Sequence, residues 1–392
     1  MTEICNPCPH IRITDLFSAT PIRSFGGGGH SIRIETSLGD LSFPGTGLLP
    51  EIIAIQRLIT LSHLYDVLVF EWDALVAQTF FSSPAIFPLL SISLCLDNAV
   101  HKIQGIENQA FVDGSEKASI ARKNLLAYRM KIDSFMDCQI LLCADTLGRG
   151  FHPDLYTKSG VLNDTEGMEA FVDDLLIHHL VTGTNQSSTY RLREALGVIV
   201  SELFENTELH GKRNLEGGFL AKNSLRGIVI KRVERQAKSR SEIGQRRDVL
   251  LEYLEISIFD SGVGFYSSYT GNKLDSSVPL ADEWKVMHHC LQRHHDKNIS
   301  DSRLEHRGMG LYEVLRALMA AKGLIEIRSG RAYAYRTFLE GDMRMQLESK
   351  DSFARPGMPK PILLDADRKF VTVPTEHEQL VGAAVRVLFP LK

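Results

Sequence analysis

The sequence predicts an α+β protein of two domains, and its length and two patterns support that prediction. The chain has 392 residues, of which 44% are hydrophobic, which is enough apolar material for two cores. In the first half, short apolar runs typical of buried strands alternate with helical patterns. In the second half, a long amphipathic helix precedes a series of strands. We therefore predict an N-terminal α/β domain of unknown type at residues 1–183, with a recognition or regulatory role, and a second domain at residues 184–392.

The elements of the first half are predicted from the spacing of apolar residues. Recurrence at three- to four-residue intervals predicts helices at residues 50–65, 89–103, 116–130 and 166–180. Short, mostly apolar runs predict buried strands at residues 67–72 and 139–143. Residues 1–35 show neither pattern and are expected to be irregular, and residues 182–185 are typical of a linker.

The elements of the second half follow a clearer pattern. Residues 190–210 are predicted to form a helix with one apolar stripe, and Gly211 is expected to end it. Another helix is predicted at residues 311–322. Strands are predicted at residues 225–233, 253–259, 324–328, 333–339 and 383–389. A polar, basic loop is predicted at residues 234–248, between the first two of these strands.

Composition and charge exclude several classes of protein. The formal net charge of −4 gives no general case for nucleic acid or an anionic membrane as a partner. No apolar run reaches the roughly 18 residues that a membrane-spanning helix needs, and the N-terminus lacks the basic-then-apolar plan of a signal peptide. Six cysteines in a chain of this length do not indicate a disulfide scaffold. We therefore expect a cytoplasmic protein with reduced cysteines.

Three polar residues on the helix at 190–210 form a first candidate site pattern. Glu202, Asn206 and His210 recur at four-residue intervals, so they share one helix face, beside the apolar stripe. The amide oxygen of Asn206 is a hard ligand that suits Mg²⁺. The carboxylate of Glu202, one turn earlier, could orient and deprotonate a water that attacks a γ-phosphate. Glu205 and Glu208, on the same helix, are expected to face solvent.

A second pattern, Asp260-Ser-Gly262-Val-Gly264, follows directly after the strand at 253–259. A carboxylate at a strand end can accept a hydrogen bond from an exocyclic amine, such as that of adenine. The two glycines let the backbone approach a ligand closely and turn sharply. The pattern therefore suits recognition of a nucleotide base.

A third pattern, Gly308-Met309-Gly310-Leu311, opens the helix at 311–322. The free N–H groups and the positive dipole end of a helix start favour phosphate. The glycines remove side chains that would block that approach. Each of the three patterns alone is common, but their order on a helix, a strand end and a helix start is a strong signal.

Together the three patterns resemble the GHKL family of ATP-binding proteins, which includes DNA gyrase, the large heat-shock chaperone, MutL-type repair proteins and histidine kinases. Residues 202–211 look like its N box, residues 260–264 like its first glycine box, and residues 308–311 like its second. The resemblance covers residues 190–392. It implies a Bergerat fold, an ATP-binding α/β sandwich in which helices pack on a mixed sheet.

The resemblance also implies roles for individual residues. ATP and Mg²⁺ would be the cofactors, with Asp260 on the adenine, Asn206 on the metal and a mobile lid within residues 266–307. Glu202 stands where gyrase-type members place their water-activating acid, although kinases often carry an acid there too. The residues implied to bind the nucleotide are Asn206, His210, Asp260, Gly262, Gly264, Gly308, Met309, Gly310 and Leu311.

The sequence departs from the family in two places. Many members have Gly-Thr before the last strand, with the threonine helping to bind adenine, whereas this chain has Gly382-Ala383. That contact is therefore expected to be absent or to come from elsewhere. Histidine kinases carry a phosphoacceptor histidine in an upstream helical hairpin, and none of the 14 histidines has that setting. The resemblance to kinases therefore stops at the nucleotide site.

Three other features have ordinary explanations. Cys5, Cys8 and His10 supply at most three of the four ligands of a structural zinc site. The histidine-rich stretch at 288–295 could hold a metal, but a polar lid helix is the commoner explanation. The basic stretch at 231–247 also carries acidic residues and no aromatic one, which favours a solvated loop over a nucleic-acid patch.

The function expected from these patterns is that of an ATP-driven switch. Binding of ATP with Mg²⁺ would order the lid and alter the first domain, a protein partner or a contact within a homodimer, and slow hydrolysis with Glu202 as the base would reset the switch. Two alternatives stay open. One is a protein kinase of the anti-sigma or histidine-kinase-like type, acting on a separate partner because this chain shows no acceptor. The other is a nucleotide-binding scaffold without catalysis.

Overall fold

The computed structural model describes most of the chain. The described residues are 9–18, 29–37, 51–106, 110–128, 138–148, 150–180, 186–240, 246–292, 310–338, 345–347, 359–361, 363–367 and 373–391. Their helices are α1 (Glu51–Leu64), α2 (Ala74–Ser82), α3 (Pro88–Cys95), α4 (Ser115–Leu126), α5 (Thr165–Leu180), α6 (Gln186–Asn206), α7 (Gly264–Thr270), α8 (Leu280–Cys290) and α9 (Gly310–Ala320). Within these ranges, no helix combines the length and the apolar character needed to cross a membrane.

The strands form two main sheets and one short pair. The strands of the first half are β1 (His10–Arg12), β2 (Gly29–Thr36), β3 (Tyr65–Trp72), β4 (Ala99–Gln104), β5 (Phe111–Asp113) and β6 (Cys138–Ala144). Those of the second half are β7 (Leu225–Arg240), β8 (Arg246–Asp260), β9 (Leu324–Gly330), β10 (Ala332–Thr337), β11 (Met345–Leu347), β12 (Pro359–Pro361), β13 (Leu364–Asp365) and β14 (Leu380–Pro390). Helices and sheets of this kind confirm the α+β class.

The N-terminal sheet has the strand order β1-β2-β3-β4-β5. Its first four strands pair in parallel and β5 pairs antiparallel. Two predictions were wrong here. Residues 1–35 were expected to be irregular but contain β1 and most of β2. The helix predicted at 89–103 ends with α3 at Cys95, because the side chain of Asn98 turns the chain by donating to the carbonyl oxygens of Ser62 and Tyr65, and β4 follows.

The second sheet has the strand order β13-β10-β9-β14-β8-β7-β6. All of its neighbouring strands are antiparallel within the described residues, whereas a mixed sheet was expected in this half. Its outer strand β6 precedes the predicted domain boundary at residue 183 and pairs with the first seven residues of β7. The sheet is therefore built from strands on both sides of that boundary.

Helices cover both faces of the second sheet. On one face, α6 and α9 bury Ile199 and Val314 in a core shared with Ile256 of β8. On the other face, α1 packs against β14, and the same helix packs against β3 of the N-terminal sheet. Leu58 of α1 and Ala384 of β14 belong to one continuous hydrophobic core. Helix α1 therefore joins the two sheets.

Strands β7 and β8 include residues 234–240 and 246–248, so the loop predicted at 234–248 was wrong over those residues, while residues 241–245 lie outside the described part of the chain. Strand β7 continues to Arg240, and β8 starts at Arg246. The two strands stay in register out to the pair Arg240 and Arg246. A ladder of backbone hydrogen bonds suits polar residues as well as apolar ones, so polarity alone did not distinguish this strand from a loop.

Candidate functional site

Asp260 ends β8 and is the most deeply buried of the predicted site carboxylates, with 8% of its surface exposed. Its Oδ1 accepts hydrogen bonds from the backbone N–H of Gly262 at 2.9 Å and of Ala383 at 3.3 Å. Other described residues donate no hydrogen bond to Oδ2. Burial raises the pKa of Asp260 to about 6, although the two backbone bonds act in the opposite direction.

Glycines allow three backbone segments to meet at Asp260. A side chain at Gly211 would place its Cβ 2.5 Å from the Cβ of Asp260, and one at Gly262 would come within 2.8 Å of the Cα of Gly211. At Gly382, where φ is +77°, a Cβ would overlap the carbonyl oxygen of Asp260. Only glycine permits such approaches. The end of α6, the turn after β8 and the start of β14 are thereby brought together.

The hydroxyl of Ser329 in β9 holds two of these segments. Its Oγ accepts from the backbone N–H of Phe265 at 2.9 Å and donates to the carbonyl oxygen of Gly382 at 3.4 Å. Gly264, with φ of +76°, would bring a Cβ within 2.8 Å of the same hydroxyl. Sequence analysis missed Ser329, because nothing local marks a serine that lies 65 residues from Gly264 along the chain.

Glu202 and Asn206 lie beside the start of α9, as the sequence patterns require. The side-chain Nδ2 of Asn206 donates to the carbonyl oxygen of Glu202 at 2.8 Å, so the amide is oriented. No described residue donates to Oδ1 of Asn206. A Cβ at Gly310 would overlap Oε2 of Glu202 and lie 3.8 Å from Nδ2 of Asn206. Leu311 packs against the core beneath α6 and α9.

The last turn before Gly211 has an unusual geometry. Residues Thr207–Gly211 form one turn of π-helix directly after Asn206. Such turns often occur at functional sites. His210 is exposed on this turn, and its Nδ1 lies 3.0 Å from Oγ of Ser268 in α7. Gly308 and Met309 of the third pattern, together with Cys5 and Cys8, lie outside the described residues.

A buried arginine network lies behind the site, and sequence analysis missed it. Arg226 of β7 is fully buried and pairs in register with Asp260. Its Nε and Nη2 donate to the two carboxylate oxygens of Asp145 at 2.9 and 2.8 Å. Its Nη1 donates to Oε2 of Glu208 at 2.7 Å and to the hydroxyl of Tyr156 at 2.9 Å. The sequence feature that could have indicated this network is the single arginine within the apolar run Leu225–Ile230.

This network corrects one expectation about α6. Glu205 is exposed, as predicted, but Glu208 is not a solvent-facing residue, because it bonds to Arg226 and Tyr156. Burial by itself lowers the pKa of Arg226, but hydrogen bonds from Arg226 to Asp145 and nearby negative charge raise it further than burial lowers it. Arg226 therefore stays charged and ties the π-helical turn to the residues after β6.

Helix α8, within the predicted lid range, is anchored to the second sheet. Oε1 of Glu283 accepts from Nε of Arg331 at 2.6 Å, and Oε2 accepts from its backbone N–H at 2.9 Å. Nε2 of His288 accepts from the backbone N–H of Leu363 at 3.1 Å, which leaves Nδ1 to donate to the carbonyl oxygen of Trp284. The predicted lid range continues over residues 293–307, which lie outside the described part of the chain.

The described ranges contain no cluster of three or more histidine, cysteine, aspartate or glutamate side chains that could hold a metal ion. His288 of the histidine-rich stretch is a hydrogen-bonding residue of α8, and His289 packs edge-on against Tyr269. The other histidines of that stretch, His294 and His295, lie outside the described residues.

Comparison with known proteins finds no relative for this chain. No protein-family model matches it, and no curated protein or solved structure matches it significantly. The resemblance to the GHKL family therefore stays a prediction from the three sequence patterns.

Proposed function

We propose that this chain binds ATP with Mg²⁺ in a Bergerat-type fold and hydrolyses it as a conformational switch. The observation that carries the proposal is the carboxylate of Asp260. Two backbone amides hold Oδ1, while Oδ2 receives no hydrogen bond from the described residues. The exocyclic amine of adenine is a donor of the right chemistry, and the glycines around Asp260 let the end of α6, the turn after β8 and the start of β14 meet beside this carboxylate.

Asn206 and the start of α9 support the binding of phosphates. The amide of Asn206 is oriented through Nδ2, so Oδ1 is available as the hard oxygen ligand that Mg²⁺ prefers. When bound, Mg²⁺ supplies charge neutralisation for the phosphates. Gly310 opens α9 directly beside Asn206, and the N–H groups of a helix start favour phosphate oxygens.

Glu202 is the residue proposed to activate water. Its carboxylate contacts the start of α9, where the γ-phosphate would be held. A general base must lie within hydrogen-bonding reach of the water that it deprotonates. Glu202 would meet that requirement for a water held between α6 and a phosphate on α9. ATP binding and hydrolysis would then change the fit between the second sheet and its partner, which we take to be the N-terminal domain, another protein or a second copy of the chain.

The test combines binding and hydrolysis. Mg-ATP is titrated calorimetrically into the wild-type chain, Asp260→Asn and Asn206→Ala, and phosphate release is followed for wild type and Glu202→Gln. Glu205→Gln is the matched control, because Glu205 is exposed three residues along the same helix. We expect Asp260→Asn to lose ATP binding. We expect Glu202→Gln to lose phosphate release, and Glu205→Gln to keep it.

Each other result has a distinct meaning. Failure of the wild-type chain to bind Mg-ATP would overturn the proposal. Binding with no phosphate release would remove the hydrolysis step and favour the scaffold alternative. Transfer of the γ-phosphate to an added protein in place of water would favour the kinase alternative. Equal loss of hydrolysis in Glu202→Gln and Glu205→Gln would show that Glu202 is not the base.

A further inference from the structure

The start of β14 is held from two sides, by the nucleotide site and by α1. The backbone N–H of Ala383 donates to Oδ1 of Asp260 at 3.3 Å. Two residues earlier, the backbone N–H of Val381 donates to the hydroxyl oxygen of Thr60 in α1 at 3.0 Å. Thr60 lies 321 residues before Val381 in the sequence and is 6% exposed. A short piece of one strand therefore connects the N-terminal half to the candidate adenine site.

That piece of β14 is a bulge. Leu380 pairs with Gly330 of β9 and Ala383 pairs with Ser329, so three steps along β14 match one step along β9. Val381 and Gly382 are left outside the ladder, and their backbone groups need other partners. Thr60 supplies an acceptor to Val381, and Ser329 supplies a donor to Gly382. Bulges redirect a strand and are common next to active sites.

A second contact from α1 secures the chain just before the bulge. Nε of Arg57 donates to Oε1 of Glu378 at 2.5 Å, and both side chains are buried. Nη1 of the same arginine donates to the carbonyl oxygens of Leu16 and Ser18. Arg57 and Thr60 therefore face the same side of α1 and fix residues 378–381. An arginine with several fixed acceptors holds its partners more rigidly than a single contact does.

We propose that Thr60 and Arg57 are positioning residues for the nucleotide site, although they lie in the N-terminal half. By fixing the bulge, they keep the backbone N–H of Ala383 hydrogen-bonded to Asp260. Asp260 in turn is the group expected to recognise adenine. This inference rests on the proposed function. Coupling of this kind is reciprocal, so nucleotide binding also stabilises the packing of α1 on β14. The N-terminal half then sets nucleotide affinity through hydrogen bonds to one strand.

The test uses the full chain and variants of Thr60. Thr60→Val removes the acceptor while keeping the shape, Thr60→Ser restores a hydroxyl, and Thr60→Ala is a second deletion. Thr79→Val is the matched control, because Thr60 and Thr79 both donate to the carbonyl oxygen four residues earlier in a helix, but no described backbone N–H donates to Thr79. Two quantities are measured: the Kd for Mg-ATP and, without nucleotide, the amide hydrogen exchange of Val381 and Ala383.

We expect Thr60→Val and Thr60→Ala to weaken ATP binding about tenfold, the size of one hydrogen bond, and to speed exchange at both amides. Thr60→Ser should restore both quantities, and Thr79→Val should change neither. The inference is overturned if Thr60→Val binds ATP with wild-type affinity. It is also overturned if amide exchange becomes faster at Val381 but keeps its wild-type rate at Ala383. If the wild-type chain binds no ATP, the proposed function fails, and exchange at Ala383 still decides whether α1 positions the bulge.

Discussion

The carbonyl oxygen of Asp260 occupies the space that a side chain on Gly382 would need. Gly382 also has φ of +77°, so Gly382→Ala combines a clash with a strained backbone. We expect a loss of unfolding free energy of more than about 2 kcal/mol, measured by urea denaturation. Gly217→Ala is the control, because Gly217 has φ of +80° and no atom within 4 Å of the added Cβ. Equal losses in the two variants would mean that Gly382 tolerates a side chain.

A second prediction concerns Gly310 and Glu202. An added Cβ at Gly310 would overlap the carboxylate of Glu202, and a carboxylate at the end of a flexible side chain can move aside. We expect Gly310→Ala to leave stability nearly unchanged but to lower the rate of ATP hydrolysis at least about tenfold, because the displaced base no longer reaches the water. Gly218→Ala, which would make only ordinary contacts, should hydrolyse ATP like wild type. An unchanged rate in Gly310→Ala would argue against Glu202 as the base.

A third prediction follows from the pKa of Asp260, which burial raises from 3.8 to about 6. The folded chain holds this proton more tightly than the unfolded chain does. The contribution of this proton binding to the free energy of unfolding is therefore full below pH 3.8. It falls by on the order of 3 kcal/mol as the pH rises through about 6. The stability of wild type relative to Asp260→Asn should fall over that interval in urea denaturation at a series of pH values.

ATP binding should follow the opposite trend over the same pH interval. Ionised Asp260 is the better acceptor for an amine, so the affinity of the wild-type chain for ATP should rise between pH 5 and pH 7. A stability difference between wild type and Asp260→Asn that is constant with pH would show that Asp260 does not titrate there.

A fourth prediction concerns the buried Arg226. Arg226→Met leaves Asp145 and Glu208 without their shared cation, and breaking a buried ion pair typically costs about 3–5 kcal/mol. We expect a loss of that order in urea denaturation. Arg316→Met is the control, because Arg316 pairs with Glu313 at an exposed position, where such pairs contribute about 1 kcal/mol or less. A loss in Arg226→Met no larger than in Arg316→Met would contradict the assigned role of the network.

Local spacing predicted the elements whose apolar pattern is strongest. Helix α1, the end of α6 and the start of α9 fall close to their expected positions, and so does Asp260 at the end of β8. The helix pattern alone also placed Glu202 and Asn206 on one face. These are properties of neighbouring residues, so a single sequence carries them.

The remaining features depend on contacts between distant residues. The bond from Ala383 to Asp260 spans 123 positions, and no local pattern indicates that the backbone N–H of Ala383 donates to that carboxylate. Strand β4 was mistaken for the end of a helix, because the apolar run at 89–103 outweighed the turn signal of Asp97-Asn98. The pairing of β6 with β7 could not be predicted, because register between distant strands is set by the assembled core.

Strand β6 limits how the molecule can be divided. A fragment that starts at residue 184 would keep Glu202, Asn206 and Asp260 but would lose the neighbour of β7 from Leu225 to Lys231, and with it the α1 covering of β14. An uncovered strand edge is a template for association with other chains. We therefore expect such a fragment to aggregate, so that the half of the chain with the candidate site is not a transplantable module.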